Sequence, residues 1–234
     1  VMSNMYDGVK TVNELGGRCL HECKYCSTHS LRKRYVACER KYGGEYRLWE
    51  SELKKGLGVN NEVFVCGQND LFEAGVPSLM IEAILRRNSE RSQSNRYMIQ
   101  SKNPMRMLGF VGSFPQNSFL GTTIETDNGL LAQKHSDAPP IFNRVAGLSA
   151  MSDFFPVYVT IEPIMDFDVN EMVSIILMIM PKKVYIGADS KGNNLPEPCE
   201  EKVVALVKQL SVFTTVEVKG NLLRIAPNIE VGVQ

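Results

Sequence analysis

The chain has 234 residues, 44% hydrophobic and 22% charged, which excludes a disordered polyelectrolyte and suits one globular domain over 1–234. Its longest apolar run, IILMIM at 175–180, is too short to span a bilayer, so no membrane partner is expected. Net charge is zero but uneven: residues 1–117 hold 17 Lys and Arg against 12 Asp and Glu, and the remainder reverses that sign.

The opening VMSNMYDGVK lacks an apolar core, so no signal peptide is expected, and KTVNEL at 10–15 predicts a first strand. CLHECKYC follows at 19–26, placing Cys19, Cys23 and Cys26 in eight positions. Three is odd, and Cys38, Cys66 and Cys199 add no framework spacing, so disulfide pairing gives way to metal or cluster binding. Free thiols without a targeting segment predict a reducing, cytoplasmic setting. Zinc wants four ligands, with His21 or His29 available as the fourth; three thiolates on a [4Fe–4S] cluster would instead leave one iron open. The adjoining LRKRYVACERK at 31–41 sets cations around Tyr35, a segment suited to an anionic substrate.

Helical and strand patterns alternate from there. YRLWESELKKGL at 46–57 reads as an amphipathic helix that buries Trp49, and EVFVCG at 62–67 as the second strand, with Cys66 as packing. In the helix at 77–90, Leu79, Ile81, Ala83 and Ile84 join Val76 on one apolar side, with Pro77 in the first turn. Arg86, Arg87, Arg91 and Arg96 read as a solvated face. Strands are predicted at 96–101, 118–124, 157–162, 183–188 and 214–219, and helices at 143–152, 169–180 and 197–210, the last with an incidental Cys199. Such alternation argues for βαβ units and an α/β fold with a parallel sheet, open or closed into a barrel. Polar residues gather at the predicted strand ends: Gln68 to Asp70, Lys102, Glu125 to Asp127, Glu162, Asp189 and Lys219. Ligands of parallel sheets bind at those ends. Lys102 and Glu162 abut apolar strands, where a charge needs a partner.

The C-x3-C-x2-C loop after a first strand, with Tyr25 before the last cysteine, resembles the radical S-adenosylmethionine superfamily. VFVCGQNDLF, YMIQSKNPMR, LGTTIETD, VTIEPIMDFD and VYIGADSKGNNLPEP make it most similar to spore photoproduct lyase-like proteins and small, often phage-encoded, relatives, over about 8–225. The resemblance implies a partial, six-stranded TIM-like (β/α) barrel with a [4Fe–4S] cluster on Cys19, Cys23 and Cys26 at the strand C-termini. S-adenosylmethionine would be cleaved there to a 5′-deoxyadenosyl radical that abstracts hydrogen from substrate. It further implies an electron donor such as a flavodoxin or ferredoxin, and a nucleic acid or nucleotide as substrate.

Carried over residue by residue, Tyr25 fills the aromatic position, and Gly67, Gln68 and Asp70 stand near the methionine amine. Lys102 matches a lysine on the methionine carboxylate, Thr123 and Glu125 match ribose contacts, and Ile186 to Ala188 would run beneath the adenine. Glu162 would touch cofactor or substrate. The text GGE occurs at 43–45, before Trp49 instead of after the second strand, and is a decoy. Cys38 is a candidate hydrogen donor whose position departs from the pattern. Two other functions stay open: a catalytically silent, metal- or cluster-stabilised sensor or adaptor, and a glycyl-radical activase acting on a protein partner.

Overall fold

A computed structural model of the chain describes residues 8–229. Seven strands form one parallel sheet: β1 Lys10–Val12, β2 Glu62–Val65, β3 Arg96–Gln100, β4 Ser118–Thr123, β5 Val157–Ile161, β6 Lys183–Ile186 and β7 Thr215–Val218. Their spatial order is their chain order, and β1 does not pair with β7 among the described residues, so the barrel is open. The resemblance implied six strands; the seventh is the β-branched TTVEVK run, read as a strand from its pattern, which adds to the edge of β6 in regular parallel register. The helices are α1 Ser27–Arg34, α2 Val36–Tyr42, α3 Glu50–Leu53, α4 Ser78–Glu90, α5 Pro104–Met107, α6 Gly129–His135, α7 Ile141–Met151, α8 Val169–Ile179 and α9 Glu200–Leu210.

Strand alternation divides the sheet into two unlike faces. Val12, Val63, Val65, Ile99, Leu120, Val159, Ile161, Val184, Ile186 and Val218 belong to the main core, beneath the helices. The inner face carries a separate layer of Phe64, Met98, Phe119, Tyr158 and Tyr185. Gly121 makes that layer possible, since a Cβ there would fall 2.3 Å from the Tyr158 ring. Towards the strand C-termini the inner face turns polar, with Gln100, Thr123 and Thr160 joined by hydrogen bonds of 2.8–3.1 Å.

Several expectations are corrected. Only Glu50–Leu53 is helical within 46–57, because Arg47–Leu48 pairs with Leu15–Gly16 in a two-residue antiparallel ladder. Trp49 therefore caps a short helix, half-buried, with the Lys41 ammonium and Arg47 guanidinium over its ring. On α4 the buried face is Ile81, Ile84, Leu85 and Asn88; Leu79 is exposed, and Pro77 takes the capping position ahead of the first turn. Arg91 is buried against Glu14 at 2.6 Å, not solvated. α1, α2 and α6 carry too few apolar residues to announce themselves by periodicity. Among the described residues no helix is long and apolar enough to cross a membrane.

Candidate functional site

The cysteine loop leaves β1 and is pinned from three sides. Gly17, at φ +107°, lets the chain turn against the 45–46 backbone, where a Cβ would fall 2.6 Å from the Tyr46 Cα. Asn69, past β2, donates its side-chain amide to the Gly17 carbonyl at 2.8 Å. The segment after α6 holds the other end: Lys24 N–H donates to the His135 carbonyl at 2.9 Å, and Asp137 N–H to the His21 carbonyl at 2.8 Å. Ser136 Oγ lies 3.1 Å from Cys23 Sγ.

Cys19, Cys23 and Cys26 are free thiols and line one pocket of about 180 Å³, together with Gly67, Gln68, Asp70, Lys102 and Thr123. Among the described residues no three Cys, His, Asp or Glu side chains are placed to hold a single metal ion. A zinc ion needs its ligands to meet at one point, whereas a cubane takes each thiolate on a different iron, so three thiols on one pocket could hold a cubane. Gln100 adds to the fit: its Oε1 is buried without a hydrogen-bond partner at the boundary of this pocket, an acceptor open to a ligand donor. Burial, with Asp70 nearby, pushes the Cys19 thiol up.

His21 Nε2 lies 2.9 Å from Asp70 Oδ2, which leaves only Nδ1 for any metal. Asp70 also accepts from the Ser101 hydroxyl at 2.6 Å, the Lys102 N–H at 2.7 Å and the Phe72 N–H at 2.9 Å. Burial alone would raise this carboxyl, but His21 and these donors hold it below its usual value. Asp70 borders the pocket as a saturated tie between the loop and the ends of β2 and β3.

Lys102 is the electrostatic centre. Its Nζ contacts the Glu125 carboxylate and the Tyr25 hydroxyl and lies 3.4 Å from Cys23 Sγ. Burial works against its charge, yet Cys23, Glu125 and Tyr25 hold the ammonium well above its ordinary value. Glu125 is shared with Arg144 of α7, whose Nη1 donates to Oε2 at 2.8 Å. Burial would raise the Glu125 carboxyl, but the Lys102 and Arg144 cations bring it down to about 2. The Tyr25 phenol is held well above its ordinary value by burial and by the Glu125 carboxylate.

A second pocket of about 360 Å³ continues from the first past Cys23, Cys26, Gln100 and Lys102, reaching Tyr25 and Glu162. Glu162 has its partner in Lys219, which donates to both carboxylate oxygens at 2.6 and 2.9 Å. Gly187 gives this pair room, since a Cβ there would fall 2.9 Å from the Glu162 carboxyl.

Two carried-over residues lie elsewhere. Ile186 points into the main core, because alternation along β6 turns Tyr185 and Gly187 inward instead. Glu125 borders neither pocket, sealed behind Lys102, Tyr25 and Arg144. Cys38 lies on α2, away from both linings, and the GGE text bends between α2 and the short ladder. Cys66 lines the first pocket as well as packing, held at φ +56° past the end of β2. Arg144, Gln100 and Ser136 were missed. A lone cation inside the apolar IFNRVAGLSAM pointed to Arg144; nothing local pointed to Ser136.

Comparison with known proteins places this geometry. No curated protein matches the chain. A spore photoproduct lyase variant with bound AdoMet and dinucleoside spore photoproduct is similar in structure, with TM-score 0.62 and 7% identity over 89% of this chain and 75% of that one. Streptococcus suis SuiB bound to precursor peptide SuiA gives TM-score 0.60 at 7% identity, over 94% of this chain and 51% of that one. The likeness is one of fold: the open parallel sheet is the partial barrel of those proteins. The model of a family described as protein of unknown function (DUF5131) matches residues 9–177, and the chain belongs to that family.

Proposed function

We propose that this protein is a radical S-adenosylmethionine enzyme. The carrying observation is the trio of free thiols, spaced C-x3-C-x2-C, around one pocket at the strand C-termini beside a buried ammonium. Cys19, Cys23 and Cys26 would hold a [4Fe–4S] cluster, and Lys102 would meet the carboxylate of S-adenosylmethionine. Gly67, Gln68 and Thr123 border the cofactor side, and Tyr25 and Glu162 the adjoining chamber. When bound, this pair supplies one-electron cleavage of the sulfonium and hydrogen abstraction from a substrate.

The chain's own residues prepare the chamber. The Phe64, Met98, Phe119, Tyr158 and Tyr185 layer closes the floor and excludes water from below, so substrate enters from the strand C-termini. The substrate in this reading is a nucleic acid or nucleotide. Arg32 and Lys41 are neutralised by Glu39 and Glu52, but Lys24, Lys33, Arg34, Arg40 and Lys191 are exposed without an acidic partner among the described residues. A flavodoxin or ferredoxin of the cytoplasm is the matching electron donor.

Anaerobic purification with iron and sulfide analysis tests the reading, with about four irons and four sulfides per chain expected. Cys23→Ala should lose the brown chromophore, and Cys199→Ser should keep it. Dithionite reduction with S-adenosylmethionine should release 5′-deoxyadenosine. One zinc per chain, or a cluster that survives Cys23→Ala, overturns the reading in favour of an adaptor.

A further inference from the structure

Glu125 is held by two cations of different character. Lys102 reaches it on a flexible stem and borders both pockets. Arg144 borders neither, and its guanidinium is fixed by the Thr123 carbonyl at 3.1 Å, the Pro139 carbonyl at 2.7 Å and Glu125 Oε2 at 2.8 Å. One buried carboxylate is thus shared by two cations, Lys102 on Oε1 from the side of the pockets and Arg144 on Oε2 from behind. Were Lys102 the sole partner of Glu125, turning its ammonium towards a ligand would strand a buried carboxylate.

We propose that Arg144 is a positioning residue: by holding Glu125, it lets Lys102 give its ammonium to an anionic group in the pocket. Glu125 is then the counter-ion of the site and not a ligand of the cofactor. The identity of the anion, the methionine carboxylate, rests on the radical S-adenosylmethionine reading; the division of labour rests on the geometry above. Without Arg144, the whole charge of Lys102 is needed by Glu125 and its affinity for a second anion falls. With Glu125 neutral, Arg144 has no such task.

Isothermal titration of S-adenosylmethionine into cluster-loaded wild type, Arg144→Met, Glu125→Gln and the double variant tests this, with melting temperatures recorded alongside. Arg144→Met should weaken binding by about tenfold or more, while Glu125→Gln stays within about threefold of wild type and the double variant returns to the Glu125→Gln level. A double variant as weak as Arg144→Met makes Arg144 a prop of the fold and overturns the proposal. Weak binding by Glu125→Gln alone overturns it too, by making Glu125 a ligand. If Arg144→Met fails to fold, Glu125→Gln and the double variant decide: equal affinities near wild type support the proposal, unequal ones overturn it. No binding by cluster-loaded wild type removes the functional reading itself, a result distinct from all of these.

Discussion

Glu14 and Glu125 are equally shut away from water, and each is bound by an arginine. Glu14 lies behind β1, where Arg91 donates to Oε1 at 2.6 Å and the Asn88 amide at 2.9 Å. One cation meets one carboxylate there, and burial raises the Glu14 carboxyl above its ordinary value in spite of Arg91. Glu125 has Lys102 as a second cation, and burial loses. A carboxylate closed on one cation makes a tie, whereas a carboxylate shared by two, one of them bordering the pockets, can release that one to an anion. The two clusters should therefore respond differently to the same kind of substitution.

Arg91→Met should show the largest effect. It strands Glu14 with only the Asn88 amide and the Cys66 thiol, and breaking a buried pair from one side costs about 3–5 kcal/mol. Denaturant unfolding should report that loss, and Arg91→Met with Glu14→Gln should recover much of it. Affinity for S-adenosylmethionine should not change in either folded variant. A loss below about 1 kcal/mol would mean that Glu14 is not the closed tie its geometry indicates.

Lys102→Met removes a cation from the other cluster, where Arg144 stays behind. The fold should lose only about 1.5–3 kcal/mol, the scale of one charge-assisted hydrogen bond. Affinity for S-adenosylmethionine should fall about ten- to a hundredfold. Titration and unfolding on the same preparation separate the two losses. A stability loss as large as that of Arg91→Met, with affinity unchanged, would place Lys102 in the same class as Arg91.

The two clusters also mark how far the sequence could be read. All seven strands were legible, because β-branched runs bounded by polar residues leave little else for those segments to be. Cys19, Cys23, Cys26 and Lys102 were legible by tight spacing and by position after a strand, and the structure brings them to one pocket. Arg91 and Arg144 were not, since whether an arginine on a helix meets water or a carboxylate is decided by elements far away in sequence. Ile186 was misplaced by one step of strand alternation, and a single step moves a side chain to the other face. Trp49 was misread because a two-residue ladder with Leu15–Gly16 interrupts an otherwise helical pattern.

Acid separates the two carboxylates with the smallest effect. Glu125 in the folded state sits near 2, against an ordinary 4.5, so its ionised form favours folding. That contribution is fully present above the ordinary value and is lost as pH falls from there towards 2; at about pH 3.5 the loss reaches roughly 1 kcal/mol. Glu14 runs the other way. Its folded carboxyl is raised, so its contribution is present below the ordinary value and is lost as pH rises through the folded one. Melting temperatures followed from neutral pH to about pH 3 should therefore fall less steeply at the acid end in Glu125→Gln than in wild type. In Glu14→Gln the fall should begin sooner, because the partial relief from protonating Glu14 is gone. Parallel curves for wild type and Glu125→Gln would mean that Lys102 and Arg144 do not depress Glu125, and the contrast between a carboxylate with one cation and a carboxylate with two would collapse.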